Sequence, residues 1–194
     1  MIQLIKSRLQ ASIDLKTSLL SNELILQTIQ SIVKDIVACY QNDGKVLWAG
    51  NGGSAADAQH LAAELSGRFY YDRPPLFSEA LHVNTSYTTA VANDYSYDVI
   101  YSRLTKAMGR KGDVLIGLST SGNSVNVLKA LEAANQIGMV TIAFTGETGG
   151  KMKDYAKHLI NIPSKDTPRI QECHMILGHT ICELIESELF PKSL

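Results

Sequence analysis

The chain has 194 residues, 45% of them hydrophobic and 19% charged, and a formal net charge of -1. That length buries one full core and suits one domain, while the balanced charge leaves no basic face for nucleic acid. No apolar run approaches the roughly 18 residues of a membrane span, and Met1-Ile2-Gln3-Leu4-Ile5-Lys6 lacks the layout of a signal peptide, so a cytoplasmic protein without membrane or nucleic-acid partners is expected. Cys39, Cys173 and Cys182 form no CxxC pair and lie in helix-like stretches, which fits reduced thiols packed as small core hydrophobes.

Residues 1–42 carry Leu4, Leu9, Ile13, Leu20, Ile25, Ile29, Ile32 and Ile36 at helical spacing with no proline, so one or two amphipathic helices are predicted. So much apolar helical surface suits packing against a partner chain. After Asp43-Gly44, the run Lys45-Val46-Leu47-Trp48-Ala49 is closed by glycines and reads as a buried strand. A helix follows over about 54–67, then a strand near 78–83 and helices through about 86–108. Asp113 to Leu118 is another apolar run, and Val125 to Ile137 returns to helical period. Strands are expected at 139–144 and 158–162, and a last helix over about 169–190, with Pro191 beyond it. At its start, Asp166-Thr167-Pro168 offers Thr167 as cap and Pro168 in the first turn. Strands alternating with helices of this length indicate an α/β fold whose parallel sheet is covered on both faces. One domain accounts for all 194 residues, with 1–42 as a helical segment and 43–194 as the sheet core.

Two turns rich in small polar residues stand between a strand and a helix: Gly50-Asn51-Gly52-Gly53-Ser54 and Ser119-Thr120-Ser121-Gly122-Asn123-Ser124. Ligands of such sheets bind beyond the carboxyl ends of the strands, so both turns are expected in one pocket. The glycines let backbone approach a ligand closely, and Ser54 is placed to begin and cap its helix. Each serine alone is also explained by satisfying loop backbone. Together, four hydroxyls and several N–H donors within six residues, without a lysine, suit a sugar phosphomonoester better than a nucleoside triphosphate. Neither GxxxxGK[ST] nor GxGxxG is present, so nucleotide binding has little direct support. His60 and Glu64 are four residues apart, which on a helix puts both on one face about 6 Å apart along the axis. A surface helix pair is the plain alternative.

These turns, with His60-xxx-Glu64, Asn93-Asp94 and Arg169-Ile170-Gln171-Glu172-x-His174, together resemble the sedoheptulose 7-phosphate isomerases, also called phosphoheptose isomerases, of the sugar isomerase (SIS) domain family. The resemblance runs over nearly the whole chain in order and spacing. It implies a single-domain, flavodoxin-like three-layer sandwich with a five-stranded parallel sheet, a homotetramer with active sites near subunit interfaces, and one zinc ion per subunit. The implied reaction turns sedoheptulose 7-phosphate into D-glycero-D-manno-heptose 7-phosphate through an enediol, the first step toward the heptose precursors of bacterial lipopolysaccharide or capsule. It also implies roles for residues. His60, Glu64, Gln171 and His179 match metal ligands, with Glu64 also the base and His179 the acid. Asn51, Gly52, Gly53, Ser54, Glu64, Asn93, Asp94, Ser119, Thr120, Ser121, Ser124 and Gln171 match substrate contacts.

Gln171 and His179 lie eight residues apart, about 12 Å along one straight helix. One ion joins them if both side chains reach inward, if the helix begins near Gln171, or if ligands come from different subunits. His174 is the competing imidazole, ranked as a core or supporting histidine. Asp57, one turn before His60, is placed to orient a ligand ring. Arg68 reads as a phosphate contact or, more simply, as part of a solvated helix face. Some relatives carry an aspartate directly before Arg-Ile-Gln, where this chain has Pro168 and places Asp166 two residues earlier. Two other functions share the fold: replication-initiator-associating proteins, which differ at the positions of Glu64 and His179, and phosphosugar-sensing domains, which sit beside a DNA-binding segment.

Overall fold

The computed structural model describes residues 1–192, so the last two positions of the expected 43–194 core lie outside it. Two N-terminal helices, α1 (Ile2–Leu20) and α2 (Glu23–Gln41), precede β1 (Val46–Gly50) and α3 (Gly53–Ser66). Next come β2 (Ser78–Ala80), α4 (Thr85–Asp94), α5 (Ile100–Met108), β3 (Val114–Ser119) and α6 (Val125–Ile137). The chain ends with β4 (Val140–Thr145), β5 (His158–Asn161) and the long α7 (Thr167–Leu189). All five strands are parallel, in the order β2-β1-β3-β4-β5.

Each residue of β1 and β3 is buried, as continuous apolar runs in a sheet covered on both faces require. Alternate residues divide the core. Trp48, Ile116 and Phe144 pack with α2, α3 and α7 on one side, while Leu47, Leu115 and Ala143 pack with α5 and α6 on the other, the period-two pattern of a strand. The result is a three-layer α-β-α sandwich. Strand order reverses between β1 and β3, so the crevice beyond their carboxyl ends is the switch point where ligands bind in open sheets. Both small-residue turns start there, because Gly50 pairs in register with Leu118.

Several boundaries differ from expectation for local physical reasons. β2 spans three residues rather than six, since only Ser78–Ala80 register with β1 and the backbone then turns, Val83 donating to Ala80. The helical stretch over 86–108 breaks at Tyr95 and continues through a 3-10 turn, Tyr97–Val99. α7 takes Asp166, not Thr167, as its N-cap, with Pro168 in the first turn as expected. Ser54 does not cap α3. Gly52 holds that position at φ +56, with no side-chain cap, a conformation that favours glycine.

α1 lies outside the layers and buries only Leu19. It is tied to α7 by Ser12 Oγ donating to Glu172 Oε2 (2.6 Å) and by Arg169 Nη1 donating to the Arg8 carbonyl (2.9 Å). Ile2, Leu4, Ile5, Leu9 and Ile13 stay exposed along it.

Candidate active site

At the switch point the Ser119 hydroxyl lies 2.8 Å from Ser124 Oγ and 3.3 Å from Ser121 Oγ. Ser124 occupies the N-cap of α6, yet its side chain accepts no backbone N–H. The first N–H groups of α6 therefore lack a hydroxyl cap and face the crevice edge, the arrangement that attracts an anion. α3 likewise starts without a side-chain cap. Between the two helix ends is a cleft of about 330 Å³ lined by Asn51, Gly53, Ser54, Ser119, Thr120, Ser121, Ser124 and Gln171, together with Leu118 and Thr167. No lysine or arginine lines it. Gly52 sits in the same turn, exposed.

Asn51 is fixed by side chains distant in sequence. Its carbonyl accepts from Asn126 Nδ2 (2.9 Å) and Tyr97 Oη (3.1 Å), and its amide donates to Asn126 Oδ1 (2.8 Å). Asn126 is 3% exposed and couples the first turn to the helix after the second. Nothing in the sequence marks it beyond a polar residue on a helix two positions past Ser124. Asn93 and Asp94 are not drawn into this cleft. They are exposed at the end of α4, hydrogen-bonded to each other.

α3 and α7 run side by side in one direction. Gly53 meets Gln171 at their starts, and Leu61 meets Gly178 further along. That alignment brings His60 and Glu64 to His179: His60 Nε2 is 3.1 Å from Glu64 Oε1 and 3.0 Å from His179 Nε2. The three donor atoms lie within 4.8 Å of one another, so this is a possible metal-binding triad. Two imidazole nitrogens that close need a proton or a cation between them, and two imidazoles plus a carboxylate match a zinc-type donor set. Gln171 is elsewhere in the same chain. A Cβ on Gly53 would come within 2.5 Å of its Nε2, and eight residues of α7, about 12 Å, separate it from His179. A second cleft of about 520 Å³ runs between, lined by Lys16, Asp57, Gln171, Glu172 and His179 among others. Gln171 is common to both clefts.

Among the remaining expected residues, Asp57 Oδ2 is buried without a hydrogen-bond partner. Burial raises its carboxyl above the ordinary value, against the lowering effect of His60. Arg68 is exposed, its Nη1 3.5 Å from the Phe69 carbonyl. His174 is a core residue, 0% exposed, with Nε2 donating to the Thr145 carbonyl at 3.1 Å and its ring edge-on to Phe144. Burial, opposed in part by that hydrogen bond, pulls it down to about 4, so it is neutral at physiological pH.

The chain matches the SIS domain family over residues 15–146. It is 50% identical over 186 residues to phosphoheptose isomerase of Aneurinibacillus thermoaerophilus, covering 96% of this chain and 94% of that one. With phosphoheptose isomerase of Mycobacterium tuberculosis it shares 48% over 179 residues, 92% of this chain and 91% of the relative. This chain belongs to the phosphoheptose isomerases. Among solved structures it resembles phosphoheptose isomerase from Neisseria gonorrhoeae, with TM-score 0.89, 41% identity and coverage of 96% and 100%. The counterpart from Francisella tularensis gives TM-score 0.91 at 34% identity, covering 96% and 98%. A phosphoheptose isomerase needs an anion-binding end and an acid–base end. In this chain the hydroxyl-lined cleft is suited to the first, and the imidazoles and carboxylate on α3 and α7 to the second.

Proposed function

We propose that this chain converts sedoheptulose 7-phosphate to D-glycero-D-manno-heptose 7-phosphate, with Glu64 as base and His179 as acid. Glu64 takes a proton from C1 while His179 gives one to the C2 carbonyl oxygen, forming the enediol. Glu64 returns its proton to C2, His179 takes the proton from the C1 hydroxyl, and the aldose results. The observation that carries this reading is the meeting of Glu64, His60 and His179 within hydrogen-bond distance on two parallel helices. The phosphate is held by Ser119, Thr120, Ser121 and Ser124 and by the α3 and α6 N-termini. Asn51, Gly52, Gly53, Ser54 and Gln171 contact the sugar, and Asn93 and Asp94, which lie outside the cleft lining, join them only once substrate is bound.

His60, Glu64 and His179 are the residues that would hold one zinc ion per subunit, with Gln171 as the fourth ligand. Bound there, zinc supplies Lewis acidity toward a sugar oxygen and order to the surrounding side chains. Glu64 is the one residue of this set that would serve both as a ligand and as the base.

A complete site draws on more than one copy. Glu64 lies eleven residues along α3 from Gly53, roughly 16 Å of helix, which exceeds the span of one extended heptose phosphate. The serine cleft of one subunit therefore works with Glu64 and His179 of a neighbour, and Gln171 would complete the donor set of a neighbouring triad. The exposed apolar face of α1, with Ile176 and Leu184 of α7 also exposed, is the surface that supports such a homotetramer. On this reading the chain is one SIS domain, residues 1–42 serve oligomerisation, and the enzyme works in the cytoplasm on precursors of lipopolysaccharide or capsule. No described helix is long and apolar enough to cross a membrane.

The test incubates purified protein with sedoheptulose 7-phosphate and follows aldose formation, with and without a chelator and beside metal analysis. Glu64→Gln and His179→Gln should each lower kcat by about 10²–10⁴-fold while ligand binding persists. Near-normal turnover in either variant would sink the assignment of that residue.

A further inference from the structure

His179 is stacked by a ring that the sequence motifs do not include. Phe69 stacks on it, centroids 5.8 Å apart and planes at 29°, while His60 meets it edge-on at 5.1 Å and 66°. Among the described residues, the only protein hydrogen-bond partner of the His179 ring is His60 Nε2. That single contact leaves rotation about the ring axis unrestrained, and the flat face of Phe69 supplies the missing restraint.

Phe69 is itself anchored. Glu186 lies seven residues beyond His179 on α7, two turns on and so on nearly the same face. Its carboxylate accepts the backbone N–H of Phe69 (2.9 Å), the N–H of Tyr70 (2.8 Å) and Arg73 Nε (3.1 Å). The Arg73 guanidinium also donates to the carbonyls of Glu64 (2.8 Å), Leu65 (2.7 Å) and Gly67 (3.2 Å) at the end of α3, where unpaired carbonyls and the helix dipole favour a cation. Both side chains of this ion pair are 1% exposed. Burial would raise the Glu186 carboxyl, but the two N–H donors and Arg73 outweigh it and hold it below its ordinary value. One network thus binds the end of α3, the segment carrying Phe69, and the helix carrying His179.

We propose that Phe69 is a positioning residue that sets the plane of the His179 ring, and that the buried Glu186–Arg73 pair anchors Phe69. The claim rests on His179 as the acid, and its test separates the two. In purified full-length enzyme, Phe69→Leu should lower kcat about tenfold with KM changed less than about twofold, and Phe69→Tyr should restore it. In protein labelled with ¹⁵N-histidine, the His179 ring signals should shift in Phe69→Leu and return in Phe69→Tyr, with melting within about 4 °C of the parent. Glu186→Gln should displace the same signals. If Phe69→Leu leaves kcat and these signals unchanged while His179→Gln abolishes turnover, the positioning role is wrong and the acid assignment stands. If His179→Gln turns over normally, the acid assignment falls, and the ring signals alone decide whether Phe69 orients the ring. Loss of kcat equal in the Leu and Tyr variants, or unmoved signals in folded Glu186→Gln, would overturn the stacking or the anchoring part respectively.

Discussion

The hydroxyl-lined cleft and the imidazole–carboxylate cluster are built by opposite strategies. The cleft is made mainly by two short turns on the rim of a buried sheet, with Ser119 in a strand and Ser124 at the start of a helix. Its hydroxyls sit on a strand end and a helix start, so little is left to move. The cluster instead joins α3 to α7 across 119 residues of sequence, on side chains partly open to solvent, with Gln171 held at the other end of the groove. On the proposed reading, the phosphate is bound within one chain and catalysis waits on assembly.

The sharpest way to break this contrast is to keep the chain folded and separate the copies. Ile5→Glu combined with Leu9→Glu on the exposed face of α1 should shift the protein to a smaller species in size-exclusion chromatography and lower turnover by on the order of a hundredfold, as misplaced reacting groups do. Phosphate binding should survive. A monomer with full activity would place the whole site in one chain.

Next in size is the effect of one hydroxyl. Ser124→Ala removes a donor to a charged oxygen, a loss of about 1.5–3 kcal/mol, and should raise KM at least about tenfold with kcat nearly unchanged. Because Ser124 makes no capping bond, stability should change by less than the roughly 1 kcal/mol of a lost cap, readable by urea titration. A fall in kcat instead would tie this cleft to the chemical step.

Gly53→Ala tests where the two regions meet. The added methyl would come 2.5 Å from Gln171 Nε2, so Gln171 must swing away, and kcat/KM should drop on the order of tenfold with a melting temperature little changed. Unaltered kinetics would show that Gln171 serves neither cleft.

The last effect falls on stability and leaves activity alone, for His174 serves the core. Above pH 6.5 it is neutral in both folded and unfolded chains; between 6.5 and about 4 only the unfolded chain carries the proton. Stability therefore declines as pH falls through that window. A folded His174→Gln variant should show a shallower decline in denaturant titrations at stepped pH, and an identical slope would assign the acid sensitivity to other groups.

What the sequence disclosed follows the same division. Val114–Ser119 and the turn after it were legible because an apolar run, a set of hydroxyls and a helix start are consecutive in the chain. His60 and Glu64 were legible as a pair because helix geometry alone relates them. The short β2 was not, since an edge strand ends where its partner's register ends. Nor was the role of Gly52 as cap in place of Ser54, which depends on a backbone angle. Asn126, Tyr97, Phe69 and Glu186 act across 46 to 117 residues of chain, and no local pattern announces such partners. The eight-residue gap between Gln171 and His179 did show in the sequence that one straight helix separates them.

The parallel seating of α3 on α7 also restricts how such a molecule can change. One residue inserted between Gly53 and His60 would swing the imidazole by roughly 100° and advance it 1.5 Å, leaving its neighbours on the other helix facing a different side chain. Loops away from the two turns can grow or shrink, but these two rods must keep their register.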